Sequence, residues 1–344
     1  MLFVQSKRAP RLGRTLFIGL VLAFLAITSQ AQGLPRPTGM APKPTPTPQP
    51  LSARVWKDPG PVESLDLVGG PGGRDGAPLA PFTFIEENLK GSNPKIKIKD
   101  ANGIEWSVKW GTEVNAETVA IRLVWAAGYT VEPAYFVPSG KIEGATGLTR
   151  AKAKVKEDGS FVEARFERQK DKGVKKLEDE QSWNWTQNPF VGTKELNGLK
   201  IMVMLLSNWD NKDVRDVSRG SNTAIFQTKE DAVYLVTDWG ASLGKWGSFI
   251  SREKWDCRGY QSQNKSFVKG VKNGFVEFGY SGQHTKDFSQ DIKVSDVQWL
   301  MQTLGKLSDE QLKSALEAGG TTPDEQICFT KAIRERIERL RGVK

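Results

Sequence analysis

The sequence predicts an α+β protein with two parts, a small antiparallel sheet with one helix followed by a mainly helical part. Apolar residues alternate along short segments between residues 82 and 110, which is the pattern of half-buried strands. From residue 113 to residue 128 they recur at helical spacing, and more helical segments occupy the last third of the chain. With 38% hydrophobic residues and 11 Trp in 344 residues, a wholly disordered protein is excluded.

The first 31 residues have the features of a secretory signal peptide. Four basic residues precede an apolar run at residues 16–27, and Ser29-Gln30-Ala31 has the small-residue spacing of a cleavage site. The run is short for a membrane span, so we expect a secreted or periplasmic protein with no span after cleavage. Much of the excess of 49 basic over 40 acidic residues lies near the N-terminus, and we therefore expect no nucleic-acid partner.

Residues 32–80 are predicted to form a disordered linker rich in Pro and Gly. Proline recurs between residues 33 and 50, where apolar residues are almost absent, so an extended and solvated chain is expected there. The segment VGGPGGRDG at residues 68–76 is rich in glycine like a phosphate-binding loop. It lacks the Gly-Lys-Ser/Thr ending of such a loop and a flanking strand and helix, so a flexible loop is expected.

The sheet-rich part is predicted to span residues 81–175 and the mainly helical part residues 176–344. The predicted strands of the first part are residues 82–89, 95–99, 104–110 and 129–137, followed by a hairpin of residues 151–155 and 160–167. In the second part, an apolar helix at residues 196–206 precedes two short strands at 223–226 and 232–236. The predicted helices after them are residues 295–304, 309–318 and 323–340, the last two opened by the capping signals Ser308 with Gln311 and Thr322-Pro323.

Four polar residues occur on or just after predicted strands and helices, in an order along the chain that suits phosphoryl transfer. Lys109 ends a strand, Glu117 lies on the next helix, Asp210 follows the apolar helix, and Asp238 follows a strand. Phosphoryl transfer needs a cation at the nucleotide phosphates, a carboxylate at the acceptor hydroxyl and oxygen ligands for Mg²⁺. These residues supply each of those groups.

Three segments of the sequence resemble those of a known superfamily. They are VKWGTEVNAETVAIRLVWAAGYTVEPAYFV, LLSNWDNKDVRD and YLVTDWGASLG, within residues 82–248. Here the chain resembles the kinase-like superfamily, nearest to phosphatidylinositol kinases, HipA-like bacterial kinases, CotH-like spore-coat kinases and secretory-pathway kinases. The resemblance implies a two-lobed kinase-like fold, with the antiparallel sheet in the N-terminal lobe, and it implies ATP with Mg²⁺ or Mn²⁺ as cofactors.

The resemblance also implies roles for residues of the first part. Lys109 is similar to the lysine that binds the nucleotide phosphates, and Glu117 to its ion-pair partner, with Glu113 as the competing partner. The loop at residues 89–94 lies where the family has its phosphate-covering turn. Backbone N–H groups of Gly91 and Ser92 are the expected donors in it.

In the second part, the resemblance implies a catalytic loop and a metal site. Asp210 is similar to the catalytic aspartate, and Lys212 matches the lysine of the family's Asp-x-Lys. Asp238, in Asp-Trp-Gly, is similar to the metal-binding aspartate of Asp-Phe-Gly. Arg215 stands where protein kinases have a metal-ligating Asn, and a guanidinium does not ligate Mg²⁺. The remaining candidate ligands near it are Asp213, Asp216 and Asn222.

Two functions remain open from the sequence. One is an exported Mg²⁺- and ATP-dependent kinase that binds a nucleotide and an unknown protein or small-molecule acceptor. The other is a catalytically inactive, kinase-derived binding or scaffold protein of the cell envelope. With one His and two Cys, a mononuclear His/Cys metal centre is excluded, and in an oxidising compartment a Cys257–Cys328 disulfide is favoured over two free thiols.

Overall fold

The computed structural model describes residues 51–89, 93–169, 173–178, 181–210, 222–283 and 285–344, which form a mixed α/β structure. The strands are β1 (Ser52–Arg54), β2 (Phe82–Asn88), β3 (Lys95–Lys99), β4 (Glu105–Lys109), β5 (Ala134–Glu143), β6 (Ser160–Arg168), β7 (Lys175–Lys176), β8 (Thr223–Gln227), β9 (Asp231–Val236), β10 (Val268–Lys272) and β11 (Phe275–Phe278). The helices are α1 (Val114–Ala126), α2 (Lys194–Leu205), α3 (Cys257–Ser262), α4 (Asn264–Phe267), α5 (Thr285–Phe288), α6 (Val294–Leu304), α7 (Asp309–Ala318) and α8 (Pro323–Arg341). Across these ranges, no helix combines the length and apolar content that crossing a bilayer requires.

The strands of the first part close into a barrel, in the order β2-β3-β4-β6-β5. This corrects the expected antiparallel sheet, because β2 and β5 pair in parallel and join its two edges, with Phe82 opposite Ile142. Alternation predicts which face of a strand is buried but not which distant strand pairs with it. Trp106 and Phe166 fill the barrel interior with no exposed surface.

The expected hairpin of residues 151–155 and 160–167 is also corrected. Strand β6 pairs along most of its length with β5, for example Val137 with Ala164, and on its other edge with β4. Residues Ala151–Ala153 form a 3-10 turn, and only Val155 bridges to Phe161. The longer β5 offers β6 a continuous ladder, which the short segment before the Glu157-Asp158-Gly159 turn does not.

Helix α1 packs against both the barrel and the C-terminal helices. Its buried side chains, including Val119 and Leu123, belong to the same hydrophobic core as Leu312 and Leu316 of α7. The Asn115 amide donates to the carbonyl of Gly319 at 2.9 Å, which fixes the start of α1 against the end of α7. The barrel interior forms a separate core.

Residues 51–80 are folded, which corrects the expected disordered linker there, and residues 32–50 of that expected linker lie outside the described residues. Strand β1 pairs in parallel with β9 in the sheet β1-β9-β8-β7, and Val55, Val62 and Leu67 are each at most 2% exposed. The buried Arg122 of α1 donates to the carbonyls of Leu67 and Val68, so the glycine-rich segment is held by a buried cation rather than being a flexible loop. The sequence pattern did not predict this packing, because apolar residues are sparse in the segment.

The C-terminal helices begin where their capping signals predicted. Ser308 accepts from the backbone of Gln311 at 3.1 Å, and Thr322 caps α8 ahead of Pro323. The sulfurs of Cys257 and Cys328 are bonded, with the Cα atoms 6.2 Å apart, and this disulfide joins the start of α3 to α8.

Candidate functional site

Lys109 lies at the end of β4 and points away from the barrel interior, which Trp106 and Val108 occupy. Its Nζ is 2.6 Å from Glu113 Oε2 and 3.6 Å from Glu117 Oε2. The side chain of Lys109 is only 14% exposed, so both carboxylates act on it through little water. Glu113, the competing partner in the sequence analysis, is thus the nearer of the two.

Electrostatics keep Lys109 protonated despite its burial. Burial by itself lowers the pKa of a lysine, but attraction from Glu117, Asp238 and Glu113 outweighs it and raises the pKa of Lys109 to about 12. The ammonium group is therefore fully charged at neutral pH. A fixed, desolvated cation of this kind is suited to binding an anion.

Glu117 is held mainly by Arg165, a residue that the sequence analysis did not single out. Arg165 lies directly opposite Lys109 in the β4–β6 pairing, forms an ion pair with Glu117, and contacts Glu167 at 2.8 Å. Burial raises the pKa of Glu117 to about 7, against the attraction of Arg165 and Lys109. The available sequence signal was a cation between the apolar residues Ala164 and Phe166, the same signal that identified Lys109.

Glu113 links three separate elements at the start of α1. Besides Lys109, its carboxylate accepts from Lys254 at 2.5 Å and from the Asn93 amide at 2.6 Å. Burial tends to raise the pKa of Glu113, but attraction and hydrogen bonds from Lys109 and Lys254 lower it to about 2. Glu113 is thus a charged anchor for Asn93, just before β3, and for the chain after β9.

The Asp238-Trp239-Gly240 turn follows β9 and lies beside the Lys109 cluster. The charge of Asp238 acts on Lys109, Glu117 and Arg165, and it raises the pKa values of all three. Gly240 packs so closely on Glu113 that a Cβ at position 240 would lie 2.9 Å from the Cβ of Glu113. Lys109, Glu117 and Asp238, three of the predicted site residues, are therefore brought together.

Asp210 is connected to the Asp238 turn through two asparagines. Asn208 donates to the carbonyl of Asp238 at 2.9 Å, and Asn222 donates to the carbonyl of Asp210 at 2.6 Å. The Asp210 carboxylate accepts from Gln283 Nε2 at 2.6 Å. Gln283 lies in a loop far along the chain, and no pattern in the sequence pointed to it.

A buried arginine supports the backbone just before Asp210. Arg336 of α8 is fully buried and donates to the carbonyl of Leu205 at 2.8 Å and to the hydroxyl of Ser207 at 2.7 Å. Its guanidinium stacks on the ring of Tyr260 at 3.5 Å. Ser207 has φ of 57°, an unusual conformation for a residue with a side chain, and the bonds from Arg336 stabilise it.

Several predicted site residues lie outside the described residues. They are Gly91, Ser92, Lys212, Asp213, Asp216 and Arg215. Among the ranges that are described, no group of three or more His, Cys, Asp or Glu residues is arranged to hold a metal ion by itself.

No protein-family model matches the sequence, and no curated protein matches it. Among solved structures, the Golgi casein kinase is similar with a TM-score of 0.37 and 11% identity, over 83% of this chain and 78% of that one. The Golgi casein kinase with Mn/ADP bound has a TM-score of 0.37 and 9% identity, over 81% of this chain and 75% of that one.

Proposed function

We propose that this protein is an exported, kinase-like phosphotransferase that uses a nucleoside triphosphate with Mg²⁺ or Mn²⁺, with an unknown acceptor. The observation that carries the proposal is the convergence on one cluster of Lys109, a carboxylate pair on α1, and the Asp238 turn. A strand lysine, a helix carboxylate and an aspartate after a strand are the parts that position a nucleotide and its metal. Composition and the order of the elements, taken alone, are much weaker support for this function.

The donor set fits a metal-bound nucleotide. Lys109 supplies a desolvated cation for phosphate oxygens, and Asp238 supplies a carboxylate oxygen, the ligand type that Mg²⁺ prefers. Since the described residues contain no complete metal cage, the phosphates themselves are expected to complete the coordination, as is usual for Mg²⁺ with nucleotides. A bound metal–nucleotide complex would supply the phosphoryl group and neutralise charge on it.

Asp210 is the proposed acceptor-side residue. Its carboxylate is oriented by Gln283, and its backbone is tied through Asn222 and Asn208 to the Asp238 turn. In that position, Asp210 would orient the acceptor hydroxyl and take its proton as the acceptor oxygen bonds to the terminal phosphorus and the bond from that phosphorus to the leaving nucleoside diphosphate breaks. The fixed separation of Asp210 from Asp238 would keep acceptor and donor sites in register.

Export of the protein is part of the proposal. The N-terminal sequence has the basic, apolar and small-residue regions of a secretory signal. The Cys257–Cys328 disulfide agrees with an oxidising compartment, where such bonds persist. We therefore expect the protein to be secreted or periplasmic, and fractionation of cells that express the full chain would measure this directly.

A thermal-shift titration tests the nucleotide site. ATP with Mg²⁺ or Mn²⁺ should stabilise the purified protein, by about 2.7 kcal/mol at a hundred times the Kd. Asp238→Asn should lose the metal-dependent part of this stabilisation, and Lys109→Gln should lose most of the rest. Asp75→Asn, at an exposed site outside the cluster, is the matched control and should behave as the wild type.

A transfer assay separates the roles of Asp210 and Asp238. Asp210→Asn should bind ATP like the wild type but lose hydrolysis or transfer of labelled phosphate, because Asp210 faces the acceptor rather than the metal. If no nucleotide stabilises the wild type with either metal, the proposal is rejected. The inactive binding or scaffold protein would then be the better description.

A further inference from the structure

Three cations lie in one row across neighbouring strands of the barrel. Lys95 of β3 is directly opposite Lys109 of β4, and Lys109 is directly opposite Arg165 of β6. Directly opposed residues of antiparallel strands point to the same face, with their Cβ atoms about 5 Å apart. The outer face of the barrel beside α1 therefore carries three adjacent positive charges.

Two of these cations have carboxylate partners within the protein. Lys109 is paired with Glu113 and Glu117, and Arg165 with Glu117 and Glu167. Like charges at directly opposed positions destabilise a sheet, and these ion pairs offset that repulsion for the second and third members of the row.

Lys95 has no ion pair of this kind among the described residues. In the described part of the chain it forms neither an ion pair nor a hydrogen bond, although its side chain is partly buried. Burial lowers the pKa of Lys95, and the nearby charges of Lys109 and Arg165 lower it further, while Glu167 opposes them. A partly desolvated cation next to two others is costly in the free protein and is relieved when an anion binds.

The position of Lys95 directs it to the proposed nucleotide site. It begins β3, and Asn93, two residues before it, donates to Glu113, the anchor of Lys109. The backbone N–H of Trp110 donates to the carbonyl of Pro94 at 3.2 Å, which ties the residue before β3 to the residue after β4. Lys95 and Lys109 thus border the same space.

We propose that Lys95 is a second phosphate-binding lysine, which together with Lys109 binds the polyphosphate chain of the nucleotide. The inference rests on the proposed function and extends it, since it assigns affinity for the phosphate chain to a residue on another strand. An ammonium group acts as a compact charge with three donors, so it can bridge oxygens of neighbouring phosphates without a fixed geometry.

The test compares Lys95→Gln with Lys97→Gln, two residues along the same face of β3. Lys97 is a suitable control because it is already paired with Glu86 at 2.9 Å. Calorimetric titrations would use ATP, adenosine and inorganic tripolyphosphate, each with Mn²⁺. Loss of one charge-assisted hydrogen bond should weaken ATP and tripolyphosphate binding by about tenfold or more in Lys95→Gln. Adenosine binding should not change, and Lys97→Gln should match the wild type.

A second readout distinguishes a binding role from a structural one. Removal of an uncompensated charge should raise the melting temperature of the free protein in Lys95→Gln, whereas loss of a structural contact would lower it. Equal ATP and tripolyphosphate affinities in Lys95→Gln and the wild type would overturn the inference while leaving the proposed function intact. A wild type that binds no nucleotide would overturn the proposed function and the inference with it.

Discussion

Glu113→Gln is the substitution for which the structure gives the clearest magnitude. The carboxylate of Glu113 contacts Lys109 at 2.6 Å and Lys254 at 2.5 Å, and these contacts lower its pKa from 4.5 to about 2. Each unit of pKa corresponds to about 1.4 kcal/mol, so the lowering corresponds to about 3 kcal/mol in favour of the ionised form. The side chain is 12% exposed, and after allowance for solvent screening we expect Glu113→Gln to lower the free energy of unfolding by about 2 kcal/mol near pH 7.

The dependence on pH follows from the direction of the shift. The pKa of Glu113 is lower in the folded protein than in the unfolded chain, so its contribution to stability is fully present above the unfolded pKa of 4.5. It is lost as the pH falls from there towards about 2. The difference in unfolding free energy between wild type and Glu113→Gln should therefore be constant at neutral pH and shrink in acid.

Urea unfolding followed by tryptophan fluorescence measures this difference at a series of pH values. Glu277→Gln is the control, because Glu277 is exposed on β11, and it should unfold like the wild type at every pH. Equal midpoints for the wild type and Glu113→Gln near neutral pH would refute the reasoning. A difference that persists unchanged in acid would show that the lost contact is not the ionised carboxylate.

Two further predictions concern the supports of the site. Replacing Cys257 and Cys328 by Ala should lower the free energy of unfolding by about 4 kcal/mol in the chain-entropy model, because the disulfide spans 71 residues. Urea unfolding measures this loss. If reducing agent does not cause the same loss in the wild type, the prediction is contradicted. Arg336→Met should destabilise the protein by about 3 kcal/mol or more, since it leaves buried acceptors at Leu205 and Ser207 without their donor. Lys331→Met, at an exposed position on the same helix, is the control and should change the free energy of unfolding little. A similar loss of stability in both variants would contradict a specific role for Arg336.

Local signals in the sequence predicted local structure well. Strands β3 and β4, helix α1 and helices α7 and α8 occur within a few residues of their expected bounds, since alternation, helical spacing and capping residues act over a few positions. The same signals failed for residues 51–80, where Val55, Val62 and Leu67 are isolated in a glycine- and proline-rich segment and are buried in the core that also contains α1 and the C-terminal helices. They also failed for the hairpin before β6.

What the sequence by itself determined is the position of β3, β4, α1, α7 and α8 and the order in which Lys109, Glu117, Asp210 and Asp238 occur along the chain. Only the tertiary structure decided that Arg165 pairs with Glu117, because the register of β4 against β6 places Arg165 opposite Lys109. It also decided that Glu113 lies nearer to Lys109 than Glu117 does. Strand register and barrel closure depend on contacts between residues far apart in sequence, which a periodic pattern does not encode. Likewise, supports such as Arg336 and Gln283 reach the site from distant elements, so their roles follow only from packing.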